Sequence, residues 1–211
     1  MKNKIVRTGA AEVRAESQRR RIILAAEKCF VNIGLNKASI SNISSEAQMS
    51  PGLIYRYFDS KSEIVYALIK WRLERILEAM KSAKITNDFA EQLLEDFGNT
   101  LDPYVHSEFS PGLLLELFSE ATRDTVIKDA LDLYDRSLIE AFSLWLQKGI
   151  SEGGLGFPED VANFRAEMFQ ILYSGLKVRE VRNSGVSKVR LKELLKEMTK
   201  PILSNDLEKI G

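Results

Sequence analysis

A chain of 211 residues, 45% hydrophobic and 28% charged, holds enough apolar side chains for a real core, because chains of this size bury roughly 70% of the surface their unfolded form exposes. Wholesale disorder is therefore excluded, and a single cysteine and a single histidine leave neither an intrachain disulfide scaffold nor a zinc site of ordinary type. The zero net charge hides an asymmetry: residues 1–70 carry 12 Lys/Arg against 6 Asp/Glu, and the remainder is acidic by the same margin. A basic head on an acidic body reads as a head that meets a polyanion, or as a disordered basic tail on a neutral protein.

The basic start (Lys2, Lys4, Arg7) is followed by no apolar run and so does not read as a secretory signal. Residues 1–12 read as disordered, within a basic arm over 1–16. From Ser17 the apolar period becomes helical, with Ile22, Ala26, Phe30 and Ile33 three to four residues apart, and Gly34 ends that helix. A short helix is expected at about 40–47, a turn at 48–50, and a second short helix at 51–58, opened by Ser50 and Pro51 as cap and first residue. Ser60 with Glu63 reads as a capping box starting a long helix to about Lys84. Asp88 and Glu91 open a similar segment over 88–101, and Pro103 to Pro111 is a break. Leu113 to Ser151 holds no proline and one bend near Asp124. The run Gly153-Gly154-Leu155-Gly156-Phe157-Pro158 is a loop, followed by a helix over 159–181, a turn at Asn183-Ser184-Gly185 and a last helix from Ser187. No strand is expected, and the longest apolar run, Ile64 to Ile69, has six residues, against the ~20 of a membrane span.

The informative stretch is 39–61. Ile40, Ile43, Ala47, Met49, Ile54 and Phe58 are spaced to form an inner face across two short helices and a three-residue turn, which is helix-turn-helix arithmetic. The second helix is left with Ser50, Gly52, Leu53, Tyr55, Arg56 and Tyr57 outside. Short donors at its tip suit base edges, longer polar groups suit phosphates, and Gly52 would let backbone come close to a groove wall. Lys61 opens the next helix, where its amide, the helix dipole and its ammonium suit one phosphate. The same pattern is also that of a helical hairpin in a larger bundle, with Tyr55 and Tyr57 as core aromatics and Lys61 as a surface charge.

Residues 17–69 resemble the N-terminal domain of the TetR (tetracycline repressor-like) family of bacterial transcription regulators. The matching pieces are Arg21-Ile22-Ile23-Leu24-Ala25-Ala26 with Phe30 and Gly34, Ser39-Ile40-Ser41-Asn42-Ile43, Ser50 through Phe58, and Ser60-Lys61-Ser62-Glu63. The resemblance implies an all-α fold of about nine to ten helices. A three-helix helix-turn-helix domain (17–62) would be linked by the helix over 60–84 to a larger effector-binding and dimerisation domain (63–211). It implies a cytoplasmic homodimer acting as a repressor on palindromic double-stranded operator DNA, released by a small organic effector, with no cofactor. Ser39 and Asn42 would hold phosphate; Ser50, Pro51, Gly52 and Leu53 would approach bases; Tyr55, Tyr57 and Lys61 would anchor the backbone. Gln48 stands where many members have glycine, and a left-handed Gln costs about 1 kcal/mol. Ser44 replaces a usual alanine.

Residues 111–121, the turn at 149–153 and Gly175-Leu176 resemble the choline-responsive repressor branch. The implied dimer uses helices at about 125–151 and 159–181, with Phe142, Trp145, Met168, Leu172 and Gly175 as candidates; the same stripes also suit a protomer core. Trp71, Phe97, Tyr104, Phe118 and Tyr134 are candidates to line an effector cavity. Glu116 and Glu120, one turn apart, read either as an acidic spot for a cation or as structural partners. An effector would tilt the 60–84 helix and alter the spacing of recognition helices that must sit ~34–36 Å apart. No catalytic constellation is found: His106 is alone in the break, Cys29 reads as a small core residue, and the glycines at 153, 154 and 156 lack the Lys-Ser/Thr of a phosphate loop. The alternatives are a DNA binder of the same fold without effector, and a helical protein-interaction module.

Overall fold

The computed structural model describes residues 2–82, 109–182 and 187–204. Among these there are eight α-helices and no strand: α1 (Lys2–Ile33), α2 (Ile40–Ala47), α3 (Pro51–Ile54), α4 (Lys61–Ser82), α5 (Pro111–Ala121), α6 (Thr125–Gln147), α7 (Glu159–Val181) and α8 (Lys188–Leu203), with one 3-10 turn at Ile150–Glu152. The expected segment over 88–101, the Pro103 break with His106, and the turn at 183–185 lie outside the described residues.

The caps explain most boundaries. Ser60 Oγ accepts the Glu63 amide at 3.1 Å, and the Glu63 carboxylate accepts the amide of Asp59 at 2.6 Å, a capping box whose return bond falls one residue early. Asp124 Oδ1 accepts the amides of Val126 and Ile127 and so starts α6 at the expected bend. Ser187 accepts the Arg190 amide at the start of α8. The clear departure is α1, which begins at Lys2 rather than near Ser17. Residues 2–16 are thus helical where a disordered arm was expected. Ala10, Ala11, Glu12, Arg14, Ala15 and Glu16 are good helix formers, and no proline interrupts them. Basic charge signals solvation; it does not forbid a helix.

Two compact units divide the chain. One holds the residues up to Trp71 with Gly112–Leu131; the other holds those from Arg72 to Pro111 and from Asp132 onward. The boundary thus falls inside α4 and α6, and α5 groups with the helix-turn-helix rather than with the later helices. In the first unit Ile22, Phe30, Leu35, Ile43, Ile54, Phe58, Ile64, Leu68 and Leu117 are essentially sealed from solvent. Each such side chain contributes about 1.5–3 kcal/mol.

The second unit is built on a cluster of Phe142, Trp145, Leu146, Phe157, Ala162, Ala166 and Ile202. Phe142 and Trp145 stack with ring centroids 5.8 Å apart, and Phe169 lies 4.5 Å from Phe142. A smaller cluster joins Leu176 of α7 to Leu191 and Leu195 of α8. Arg165, itself buried, reaches the end of α8, donating to the carbonyls of Ile202 and Ser204 and lying over the Phe157 ring. At Gly154 a Cβ would lie 2.3 Å from the Lys148 carbonyl oxygen, so the loop after α6 closes only on glycine.

Candidate nucleic-acid interface

The helix-turn-helix is assembled by local hydrogen bonds over a sealed floor. α1 packs on α2 and α2 on α3. Ile43, Ala47, Ile54 and Phe58 are buried as the spacing predicts, whereas Ile40 and Met49 are half-buried. Ser39, in extended conformation, caps α2: its Oγ accepts the Asn42 amide at 3.2 Å while Asn42 Oδ1 accepts the Ser39 amide at 2.9 Å. The Ser39 hydroxyl also donates to Asn42 Oδ1. Both residues are exposed, and Asn42 Nδ2 makes no hydrogen bond among the described residues. Ser50 caps α3 by accepting the Leu53 amide, with Pro51 at the first helical position. α3 ends at Ile54, four residues before the expected end, although a helical turn continues through bonds from the Tyr55 amide to Pro51 and the Phe58 amide to Ile54.

The turn between them is made by the two departures from the family pattern. Gln48 is left-handed, with φ 51° and ψ 46°, and is the one non-glycine residue with positive φ among those described. Ser44 is buried, its hydroxyl donating to the Met49 carbonyl while the Met49 amide donates to its carbonyl. An alanine could supply only the second bond. The extra bond offsets strain of about 1 kcal/mol at Gln48.

Ser50, Pro51, Gly52, Tyr55 and Arg56 are exposed, and Leu53 and Tyr57 half-buried. Tyr55, 53% exposed, is therefore not a core aromatic. A Cβ on Gly52 would meet nothing within 4 Å, leaving its outer side open to a close approach. Lys61 is engaged differently from the expectation: its Nζ donates to the carbonyls of Leu35 at 3.1 Å and Ala38 at 3.3 Å. Two of its three donors thus hold the α1–α2 connection, and one is left for a phosphate.

Sequence reasoning missed Arg19. Its Nη1 donates to the Tyr57 carbonyl at 2.6 Å and its guanidinium lies 4.2 Å from the Phe58 ring centroid. This joins α1 to the turn after α3 and fixes the backbone of the expected phosphate anchor. The signal available was only an arginine one helical turn before Ile22, which a basic stretch disguises. Lys28 and Glu46 form a further exposed ion pair between α1 and α2 at 3.2 Å. Cys29 is buried in α1; burial, then the nearby Glu46 charge, pushes its thiol pKa up, so it behaves as a small hydrophobe.

Other expected sites are redistributed. Phe142 and Trp145 are buried in the protomer core, because the stripe read from 131–149 is the inward face of α6. Met168 and Leu172 are partly buried against the same core, and Gly175 is exposed. The outward face of α7 instead carries Phe164 (61% exposed), Ile171 (75%) and Val178, seven residues apart and hence within about 20° of one line. Of the aromatic set expected to line a cavity, Phe97 and Tyr104 lie outside the described residues. Trp71 is half-buried with the Arg20 guanidinium 5.8 Å from its ring, and Phe118 is exposed; both belong to the first unit. Tyr134 belongs to the second, 5.8 Å from the Phe109 ring. Glu116 takes the structural role: its carboxylate accepts the Leu35 amide.

Comparison with known proteins agrees with this geometry. A family model for bacterial regulatory proteins of the tetR family matches residues 22–68. The HTH-type transcriptional regulator UidR of Escherichia coli is 27% identical over 114 residues, covering 54% of this chain and 56% of that protein; the chain thus spans about half the length of the curated relatives it matches. Among solved structures, Salmonella enterica GusR superposes with a TM-score of 0.64 at 22% identity, covering 86% of this chain and 95% of that one. A transcriptional regulator from Saccharomonospora viridis, solved in complex with choline, gives a TM-score of 0.64 at 22% identity, covering 87% and 96%. No helix among the described residues is long and apolar enough to cross a membrane. The capped α2, the Gln48 turn and the exposed face of α3 all fall inside the segment matched by the model of the tetR family of bacterial regulatory proteins, which gives residues 22–68 the DNA-binding domain of that family.

Proposed function

We propose that this protein is a transcriptional repressor that binds partly palindromic duplex DNA as a homodimer and is released by a small organic effector. The observation that carries the DNA reading is the exposure of Ser39, Asn42, Ser50, Pro51, Gly52 and Tyr55 over a buried floor of Ile43, Ile54 and Phe58. The caps point short donors and helix N-termini outward, where phosphates and base edges are bound. In this reading Ser39 and Asn42 hold phosphate, Ser50 to Leu53 meet bases, and Tyr55, Tyr57 and the remaining Lys61 donor anchor the backbone.

For the dimer, the outward stripe of Phe164, Ile171, Gly175 and Val178 on α7, with Leu133 and Leu144 on α6, replaces Phe142 and Trp145 as the proposed surface. Exposed apolar rows of this length mark association surfaces, and a two-fold dimer buries the same row from each copy. For the effector, the reading assigns binding to the second unit, with Tyr134 as a lining aromatic. Glu116 is withdrawn as an acidic spot because it is bonded to Leu35.

The deciding experiment is to sequence the DNA that the purified full-length protein retains from fragmented genomic DNA, then titrate that duplex at several salt concentrations. Selective retention of a partly palindromic site by a dimer, with log affinity falling linearly in log salt, supports the reading. Retention of no duplex, or full affinity of a monomer for one half-site, rejects it.

A further inference from the structure

The connection between α1 and α2 has to deliver Ser39 and Asn42 to the surface, yet it is made of ordinary backbone. Gly34 ends α1 in left-handed conformation, φ 88°. The next residue, Leu35, is 1% exposed, so its amide is a buried donor beyond the helical ladder. Left unpaired, such a group costs about 1–3 kcal/mol. The partner comes from 81 positions away in sequence: Glu116, on α5, accepts the Leu35 amide, and both of its carboxylate oxygens lie 3.4 Å from where a Cβ on Gly34 would be. The carbonyls of the same connection, Leu35 and Ala38, are taken by Lys61 Nζ, and the Ala38 amide closes back on the Gly34 carbonyl at 3.1 Å. Opposite charges from α4 and α5 therefore hold the donor and the acceptors of one loop, and the residue after Ala38 is the cap of α2.

We propose that Glu116 is a positioning residue for DNA binding: by holding the Leu35 amide, it sets where the N-terminus of α2 presents Ser39 and Asn42 to phosphate. The proposal rests on the DNA-binding reading above. It makes an unusual demand of a carboxylate. Removing a negative charge near a DNA-binding surface should tighten binding on electrostatic grounds alone; removing this one should loosen it.

The test compares the full-length wild type with Glu116→Ala and Glu116→Gln on the duplex the wild type retains, and follows hydrogen exchange at the Leu35 amide. Loss of a charge-assisted bond to a backbone amide should weaken the Glu116→Ala complex about tenfold and speed Leu35 exchange. Glutamine keeps an acceptor oxygen without charge and should rescue most of both. Should Glu116→Ala not fold, Glu116→Gln carries the test, since small losses of affinity and of Leu35 protection should appear together. Equal or tighter binding by Glu116→Ala overturns the proposal, as does faster Leu35 exchange in Glu116→Gln with operator affinity unchanged. Wild-type protein that binds no duplex overturns the DNA reading and this proposal with it; wild-type binding with an indifferent Glu116→Ala overturns the proposal alone.

Discussion

The two units order their chain by different means. In the first, the turns carrying the proposed contacts are tied by side chains a few residues away: Ser39 with Asn42, Ser44 with Met49, Ser50 with Leu53. In the second, order comes from partners distant in sequence, such as Phe142 on Phe169 and Arg165 on the carbonyls of Ile202 and Ser204. Short-range capping fixes the local direction of each turn, which suits a surface that must present the same donors every time, while a few distant partners such as Lys61 and Glu116 hold the connection that carries it. Long-range packing fixes a core but leaves its outward faces free to serve another purpose, as with Phe164 and Ile171 on α7. The lesson is that a motif and a core obey the same energetics, but only the motif writes its geometry into neighbouring residues.

The comparison breaks most sharply if core truncations are compared with outward ones. Phe58→Ala and Phe142→Ala should each lose about 3–5 kcal/mol in denaturant unfolding, because both rings are buried. If Phe142→Ala left stability intact and only dissociated a dimer, the reassignment of that residue to the protomer core would be wrong. Ile171→Asp should do the reverse. A surface change of this kind alters protomer stability by roughly 0.5 kcal/mol or less, while sedimentation should show the dimer giving way to monomer.

Lys61→Ala should cost about 1–3 kcal/mol of stability through two lost bonds to carbonyls and should lower the salt slope of DNA binding by at most about one phosphate per protomer. A full drop in slope with no loss of stability would return Lys61 to a pure phosphate contact. Gln48→Gly relieves a left-handed side chain at some cost in unfolded-state entropy, so thermal unfolding should rise by the equivalent of about 0.5–1 kcal/mol; a fall would mean the Gln48 side chain holds something the backbone angle does not reveal.

The smallest effect is a pH limb. A hydrogen bond from Ser62, reinforced by the amides of Ile127 and Val126, holds the Asp124 carboxyl below the ordinary carboxylate value, against a smaller opposing effect of burial. A depressed folded pKa contributes stability that is fully present above the unfolded value and is lost as pH falls through the folded one. Acid unfolding below about pH 4 should therefore be shallower in Asp124→Asn than in wild type, which a pH series of denaturant melts would detect.

Where the helices of this chain start was largely legible in the sequence, because helix starts and tight turns are chosen by neighbours. Ser50-Pro51 opens α3, the Ser60 and Glu63 pair opens α4, and Asp124 and Ser187 cap α6 and α8. The left-handed cost at Gln48 could be stated from its place in the turn. Tertiary structure alone decided which face of each amphipathic helix turns inward, since a periodic stripe specifies burial without saying against what. It moved Phe142 and Trp145 into the core and left Phe164 and Ile171 outside. The start of α1 at Lys2 is a different case: local helix propensity favoured it, and the basic charge had read as solvation. Tertiary structure assigned the bonding partners of Lys61, Arg19 and Glu116 as well. A long charged side chain reaches any backbone group brought within its radius, and only the packing of helices distant in sequence determines which group that is.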